Sequence, residues 1–148
     1  MRISTRGSYA LEAVVAIALF PEDQTVSIRE ISERTQISDN YLEQIFSLLR
    51  KNGIISSSRG AYGGYQLARK SSMISVGDVL RATEKSISPV LCAEENDKSC
   101  ARTTNCVTKN AWRKLSEAIN ETVDSISIAD LTAGFHAKNI QENTDYSI

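Results

Sequence analysis

Residues 27–53 constrain the fold more strongly than any other segment, because they predict two short helices in close succession. Ser27 and Glu30 have the spacing of a capping box, which would open the first helix. Ser38 is the N-cap candidate of the second helix, and Gly53 follows where a helix C-terminus favours a left-handed residue. Two short capped helices joined by a few residues are typical of a helix-turn-helix motif.

A preceding helix and a following β-hairpin extend this motif. Ser4 can cap a first helix whose apolar residues recur at spacings of three and four as far as Leu19. After Gly53, two short runs flank the sequence RGAYGG, whose glycines supply the positive φ angles that a tight turn needs. The order of these elements predicts a mainly α fold with a small β-hairpin wing, in which residues 1–83 form a winged helix-turn-helix domain.

Charge is divided unevenly along the 148 residues, although the formal net charge is only −1. Residues 1–70 carry nine Lys and Arg against seven Asp and Glu, whereas residues 71–148 carry eight against eleven. No acidic residue occurs from Gln44 to Gly77. A basic run alone is compatible with an ordinary solvated face, but on a winged helix-turn-helix it predicts double-stranded DNA as the partner.

The remaining composition argues against a membrane protein and against an enzyme. The apolar run that ends at Phe20 is interrupted by Glu12, is too short to span a bilayer and lacks a signal-peptide cleavage site. His136 is the only histidine, and no paired carboxylates stand out as a catalytic constellation. We therefore expect a cytoplasmic protein that is not an enzyme and has no membrane partner.

The three cysteines of the chain, Cys92, Cys100 and Cys106, lie within fifteen residues of one another. Such clustering predicts a pocket of thiolate ligands for a metal or an iron-sulfur cluster, in a loop spanning residues 84–106. The odd number argues against a disulfide framework, and the spacers of seven and five residues are longer than the Cys-x2-Cys of a zinc ribbon. Two alternatives stay open: a cluster-free DNA-binding regulator that responds to thiol oxidation or zinc, and a winged helix that binds a protein.

A further apolar pattern predicts how the chain assembles. Helical spacings of three and four relate Trp112, Leu115, Ile119, Val123 and Ile126. They predict a long helix and a short following helix over residues 107–135, whose apolar seam packs on the chain's own first helix or on a second copy. A two-fold dimer would place two recognition helices about one DNA turn, ~34 Å, apart and implies a roughly palindromic operator. Residues 136–148 lack this periodicity and are expected to form a mobile tail.

Three stretches, which together span roughly residues 1–132, resemble a known family. They are ISERTQISDNYLEQIFSLLRKNGIISSSRGAYGGYQLAR, ISVGDVLRA, and the closing C-x5-C with VTKNAWRKLSEAI. The resemblance is to the IscR family of winged-helix regulators, whose superfamily also includes the nitric-oxide sensor NsrR and the cysteine-metabolism regulator CymR. It implies a homodimeric transcription factor whose DNA affinity or site preference depends on a bound iron-sulfur cluster.

The second helix of the motif is expected to enter the major groove. This placement directs Ser38, Asn40, Tyr41 and Gln44 toward DNA, and the amides of Asn40 and Gln44 suit bidentate pairing with adenine. Glu43 can accept a hydrogen bond from cytosine N4 but repels phosphate, so we expect it to select among sequences. The resemblance likewise links this position to the choice between classes of site.

The wing is expected to contact the minor groove and the DNA backbone. Arg59 begins the turn, where a guanidinium can enter a narrow minor groove, and the resemblance implies the same role. The glycines of the turn, which would let the backbone approach phosphates, are Gly60, Gly63 and Gly64. Further candidates for phosphate contacts are Ser57, Arg50 and Lys51.

The resemblance leaves the cysteine loop one ligand short of four. Lys109 stands where the related cluster-assembly regulator has a histidine, and a protonated amine is a poor ligand. Ser8 stands where the nitric-oxide sensor lends an aspartate across its dimer, and His136 is remote in sequence. We expect a [2Fe-2S] rather than a [4Fe-4S] cluster. The candidates for the fourth ligand are water, an external thiol, a residue of the partner's first helix, and Glu94, Glu95, Asp97 or Asn110.

Overall fold

A computed structural model describes residues 2–94, 100 and 105–145. Within these ranges the chain forms six α-helices and one two-stranded antiparallel hairpin, which confirms the predicted mainly α fold with a wing. The helices are α1 (Thr5–Ala18), α2 (Ile28–Thr35), α3 (Asp39–Lys51), α4 (Val76–Thr83), α5 (Lys109–Ser125) and α6 (Ile128–Asp145). The strands are β1 (Ile55–Ser58) and β2 (Gly64–Leu67), and short 3-10 turns occupy Ser71–Met73 and Leu91–Ala93. None of the described helices is long and apolar enough to cross a membrane.

Hydrogen bonds confirm the predicted helix starts of the DNA-binding motif. The Ser4 hydroxyl accepts a hydrogen bond from a backbone N–H in the first turn of α1. Ser27 and Glu30 form both hydrogen bonds of a capping box at the start of α2. The Ser38 hydroxyl accepts the backbone N–H of Tyr41 at 3.4 Å and so caps α3. The boundaries of the helix-turn-helix therefore follow from local sequence, as expected.

The turn between α2 and α3 is built around Gln36, which has a positive φ of 60°. Its side-chain amide donates a hydrogen bond to the carbonyl of Glu33 at 2.7 Å, which supports this left-handed conformation. The Ser32 hydroxyl donates to the carbonyl of Ile37 at 2.6 Å across the same turn. The two helices of the motif are thus connected by a tightly bonded turn.

The hydrophobic core lies between α1, the helix-turn-helix and the base of the wing. From α3 it receives Leu42, Ile45, Phe46 and Leu49, which lie on one face of the helix and are almost completely buried. They join residues of α1, of the strand region and of the start of α6 in one cluster. The opposite face of α3 is left exposed to solvent.

The base of the wing is tied to the segment that precedes α2. Val26 and Tyr65 exchange two backbone hydrogen bonds of 2.8 and 2.7 Å, which adds a third extended segment beside β2. The rings of Phe46 and Tyr65 meet edge to face with centroids 4.7 Å apart. Because Phe46 belongs to α3, these contacts fix the orientation of the wing relative to the recognition helix.

Helix α6 covers most of the segment from residue 136 onward that was expected to form a mobile tail. It begins with reciprocal hydrogen bonds between Ser127 and Asp130, of 2.9 and 3.0 Å, and continues to Asp145. Its residues from 133 onward are exposed to solvent. Because they bury little surface, they need not repeat apolar side chains at helical spacing. Periodicity is imposed by burial, so the short helix predicted before residue 135 could be recognised, but its continuation to Asp145 could not. Residues 146–148 of the expected tail lie outside the described residues.

Candidate DNA interface and cysteine cleft

Helix α3 presents its predicted base-reading residues to solvent. Asn40, Glu43 and Gln44 are exposed on the face opposite the core. Ser38 is exposed as well, although its hydroxyl already serves as the helix cap. Tyr41 is only half-exposed, and so takes part in the fold as well as in the surface.

The ring of Tyr41 packs edge to face on the ring of Tyr9 in α1, with centroids 5.8 Å apart. This contact explains why an aromatic residue stands at the N-terminal end of the recognition helix. It joins the start of α3 to α1, and leaves only part of Tyr41 available for a DNA contact.

The C-terminal end of α3 is joined to the wing. The guanidinium of Arg50 donates a hydrogen bond to the hydroxyl of Ser57 on β1 at 3.2 Å. Lys51 and Arg59 are exposed on the same basic stretch of chain. Within the described ranges, Arg50, Lys51 and Arg59 form no ion pair, whereas Arg69 lies 3.4 Å from Asp78. The surface of α3 and the wing therefore retains cationic groups that no acidic side chain neutralises.

The wing glycines form the turn as predicted, and two of them also make close backbone contacts that the sequence did not indicate. Gly60 has a φ of 105° and open space beside it, as its predicted approach to a ligand requires. A side chain on Gly63 would collide with the carbonyl oxygen of Ser58. One on Gly64, whose φ is 153°, would lie 2.8 Å from the carbonyl oxygen of Val26. Gly63 and Gly64 are thus required by the chain itself, whatever they contact on DNA.

Sequence reasoning also overlooked Tyr62 at the tip of the wing. Its side chain is 94% exposed. The hydroxyl of Thr25 donates a hydrogen bond to the backbone carbonyl of Tyr62 at 2.8 Å, so the tip is anchored to the body of the domain. The one feature of the sequence that could have identified Tyr62 is an aromatic residue within a turn made otherwise of small residues, mainly glycines.

The cysteine loop borders a cleft of about 790 Å³ between α4 and α5. Cys92 lies on the 3-10 turn before Glu94, and both residues line this cleft. Four basic residues and one further acid also line it: Arg81, Lys85, Lys109, Arg113 and Glu117. The cleft therefore holds one thiol among charged side chains that are mostly basic.

The thiols are not gathered into a finished ligand set. Cys92, Cys100 and Cys106 are all half-buried, and the sulfur of Cys106 lies 3.3 Å from the hydroxyl oxygen of Thr108. Among the described residues, no group of three or more His, Cys, Asp or Glu side chains is positioned to hold a metal ion. Thiols are the donors that an iron-sulfur cluster requires, but only Cys92 of the three lines the cleft, so binding would require the loop to bring the other two to it.

The structure places the candidates for the fourth ligand in different surroundings. Glu94 lines the same cleft as Cys92, as does Lys109, the first residue of α5, which stands in the position of the relative's histidine. The side-chain oxygen of Asn110 instead accepts a hydrogen bond from Arg113 at 3.1 Å. His136 lies on α6, with its ring 6.0 Å from that of Phe135. Glu95 and Asp97 lie outside the described residues.

Comparison with known proteins shows the family to which the chain belongs. Residues 3–134 match the family model of Rrf2, described as an iron-dependent transcriptional regulator. The chain belongs to the Rrf2 family. As an Rrf2 protein it is a DNA-binding transcriptional regulator, and the expectation of a protein that is not an enzyme is confirmed.

Relatives of this Rrf2 chain include proteins of two named types. It is 41% identical over 131 residues to the HTH-type transcriptional regulator IscR of Yersinia pseudotuberculosis, an alignment that covers 88% of this chain and 79% of that protein. The structure of T. potens IscR matches with a TM-score of 0.71 at 36% identity, over 90% of this chain and 88% of that one. CymR, the global cysteine regulator of B. subtilis, matches with a TM-score of 0.72 at 33% identity, over 90% and 97%. The resemblance to IscR-type regulators is therefore confirmed.

The DNA-binding part of the Rrf2 chain is joined to α5 through one charged network. The guanidinium of Arg81 on α4 donates to both carboxylate oxygens of Asp124, at 2.7 and 2.9 Å, and to the side-chain oxygen of Asn120 at 2.7 Å. These hydrogen bonds lower the pKa of Asp124 and raise that of Arg81. Gly77 leaves the space for this pair, because an added side chain there would lie 2.8 Å from the guanidinium. Arg81 also lines the cysteine cleft, so one residue touches both features.

The apolar seam of α5 in the Rrf2 chain is only partly covered. Val123 and Ile126 pack against a small cluster around Val76 and Leu80 on α4. Trp112 and Leu115, at the other end of the seam, remain 37% and 45% exposed. The first turns of α5 therefore carry apolar surface that the described part of this chain does not cover.

Proposed function

We propose that this protein is a homodimeric transcriptional regulator whose affinity for DNA, or choice of site, depends on an iron-sulfur cluster. The position of the cysteine cleft carries the proposal. The cleft lies between α4 and α5, and is lined by Cys92 together with residues of both helices. A ligand held there is in a position to alter how α4 and the attached helix-turn-helix sit on α5.

Cys92, Cys100 and Cys106 would hold the cluster, as three thiolates of the kind that bind iron. When bound, the cluster would supply a centre that reacts with oxygen or nitric oxide, or is lost when iron is scarce. Glu94 would be the favoured carboxylate for a fourth position, since it lines the cleft and is close to Cys92 in sequence. An external thiol or water would be the alternative, and we favour a [2Fe-2S] cluster over a [4Fe-4S] cluster.

Recognition of DNA would be divided between α3 and the wing. Exposed Asn40, Glu43 and Gln44 would read base edges in the major groove, with Ser38 and Tyr41 at the rim of this contact. Arg59 would enter the minor groove. Phosphate contacts that fix the register would come from Arg50, Lys51, Ser57 and the backbone at Gly60, Gly63 and Gly64.

Each of three segments of the chain would have its own function in the dimer. Residues 1–83 would bind DNA, residues 84–106 would hold the cluster, and residues 107–135 would dimerise through the uncovered end of the α5 seam. A two-fold dimer presents two recognition helices and thus a roughly palindromic operator. Acting on chromosomal DNA, it would work in the cytoplasm.

A second candidate is a cluster-free regulator that responds to thiol oxidation or to zinc. It is favoured by the absence of an assembled ligand group among the described residues and by Lys109 in the cleft. The content of iron and acid-labile sulfide distinguishes this candidate from the first.

Arg59→Ala is expected to weaken specific DNA binding by ~1–3 kcal/mol, because the variant loses a cationic contact in the minor groove. Fluorescence anisotropy at several salt concentrations measures it, using a duplex selected from a random library by the unmodified protein. The salt dependence should also become shallower, since fewer counterions are released. Lys138→Ala removes an exposed charge from α6 and serves as the control. Equal affinities of all three proteins would remove Arg59 from the interface.

A further inference from the structure

The tip of the wing combines a fixed backbone with a free aromatic side chain. The carbonyl of Tyr62 accepts the Thr25 hydroxyl at 2.8 Å, and the N–H of Gly63 donates to the carbonyl of Gly60 at 3.0 Å. Two hydrogen bonds between Val26 and Tyr65 hold the base of the same strand. The side chain of Tyr62 is nevertheless 94% exposed.

Such exposure is costly in a free protein and useful in a complex. An aromatic ring that projects into water forgoes the burial that normally stabilises it. Here it also projects from a backbone that is already ordered, so the wing would lose little conformational freedom when a partner contacts the ring. The tip of the wing therefore favours a contact between the Tyr62 ring and another molecule.

The charge around the tip identifies the chemistry of that partner. Arg59 is exposed three residues before Tyr62 on the same hairpin turn, and the segment from Gln44 to Gly77 holds no acidic residue. An apolar protein surface would not require this excess of cations. A polyanion with apolar sugar faces between its charges matches both the ring and the guanidinium.

We propose that Tyr62 is a DNA contact of the wing, in which the ring packs on a deoxyribose and the hydroxyl donates a hydrogen bond to a phosphate oxygen. Tyrosine hydroxyls are among the groups that bind DNA phosphates and so position a protein on the duplex. Thr25 is the positioning residue, because its hydrogen bond sets where the tip carries the ring. This inference rests on the proposed orientation of the wing toward DNA, but not on the cluster.

The test is a double-mutant cycle on the affinity for the duplex selected by the unmodified full-length protein. Tyr62→Ala should weaken binding about five- to tenfold, and Tyr62→Phe, which keeps the ring, about two- to threefold. Thr25→Val removes the anchoring hydroxyl and should weaken binding in the presence of Tyr62, but add less than about twofold to Tyr62→Ala. Met73→Ala truncates another exposed apolar side chain, outside the wing, and should leave affinity unchanged.

Three results would contradict the inference, and each would exclude a different part of it. If Tyr62→Ala binds within about twofold of the unmodified protein while Arg59→Ala is weakened, the wing contacts DNA without Tyr62. If neither variant is weakened, the proposed DNA-binding role of the wing itself fails. Additive effects of Thr25→Val and Tyr62→Ala would contradict the positioning role of Thr25. Circular dichroism of each variant checks that the fold is retained.

Discussion

Cys92→Ser is expected to reduce the iron and acid-labile sulfide of protein purified without oxygen at least ~10-fold, with loss of its visible absorption. A serine hydroxyl is nearly the same size as a thiol but does not supply the soft thiolate that iron-sulfur clusters require. Cys92 lies on a defined 3-10 turn at the edge of the cleft, so the substitution removes a ligand without disturbing a helix.

Leu91→Ala is the matched control for this substitution. Leu91 is the exposed neighbour on the same turn, and its truncation should leave the iron and sulfide content unchanged. A full complement of iron and sulfide in Cys92→Ser would exclude Cys92 as a ligand. Unmodified protein that is colourless and cannot be loaded with iron and sulfide would favour the thiol-redox or zinc candidate.

Leu115→Glu is expected to convert the proposed dimer to monomers and thereby abolish tight operator binding. Full burial of a leucine contributes ~1.5–3 kcal/mol, and dimerisation would bury the 45% of Leu115 that is still exposed, once in each chain. The dissociation constant of the proposed dimer should therefore rise at least ~10-fold, and further because two carboxylates would have to be buried. Light scattering at micromolar concentration measures the change, and the variant should give the mass of one chain.

Lys114→Glu introduces the same side chain at the neighbouring exposed position of α5. Glutamate and leucine have similar helix propensities, so neither substitution should unfold the helix. Lys114 lies outside the apolar seam, and its variant should remain a dimer. An unmodified protein that is monomeric, or a Leu115→Glu variant that stays dimeric, would show that the α5 seam is not the interface.

The parts of the fold that sequence predicted well are those fixed by neighbouring residues. Capping at Ser27 and Ser38 depends on hydrogen bonds to residues three positions away, and both caps are present. Gly53 has a φ of 70°, as its place after α3 required. The exposed face of α3 likewise followed from the helical spacing of its buried residues.

Features that depend on distant contacts could not be predicted in this way. Arg81 and Asp124 are 43 residues apart, and nothing in either segment indicates that they meet. The need for glycine at position 64 comes from Val26, on a segment that precedes the whole helix-turn-helix. Sequence spacing identified the cysteines as a group, but their approach to one another depends on the path of the loop between α4 and α5.

The network around Arg81 would link the cysteine cleft to the proposed DNA-binding domain. Arg81 lines the cleft and binds Asp124 and Asn120, so a ligand bound in the cleft would act on the contact between α4 and α5. Helix α4 packs on α1 and α3, which connects this contact to the recognition helix. The proposed coupling of a cluster to DNA binding would thus need no large rearrangement of the core.

The proposal that a cluster changes DNA binding is tested most directly by comparing cluster-loaded with cluster-free protein. The affinities of cluster-loaded and cluster-free protein are measured without oxygen and at fixed salt, on duplexes selected from a random library separately with each form. We expect the two forms to differ at least ~10-fold on one of the selected duplexes, or to prefer different duplexes. Equal affinities of both forms on every selected duplex would contradict cluster-dependent regulation.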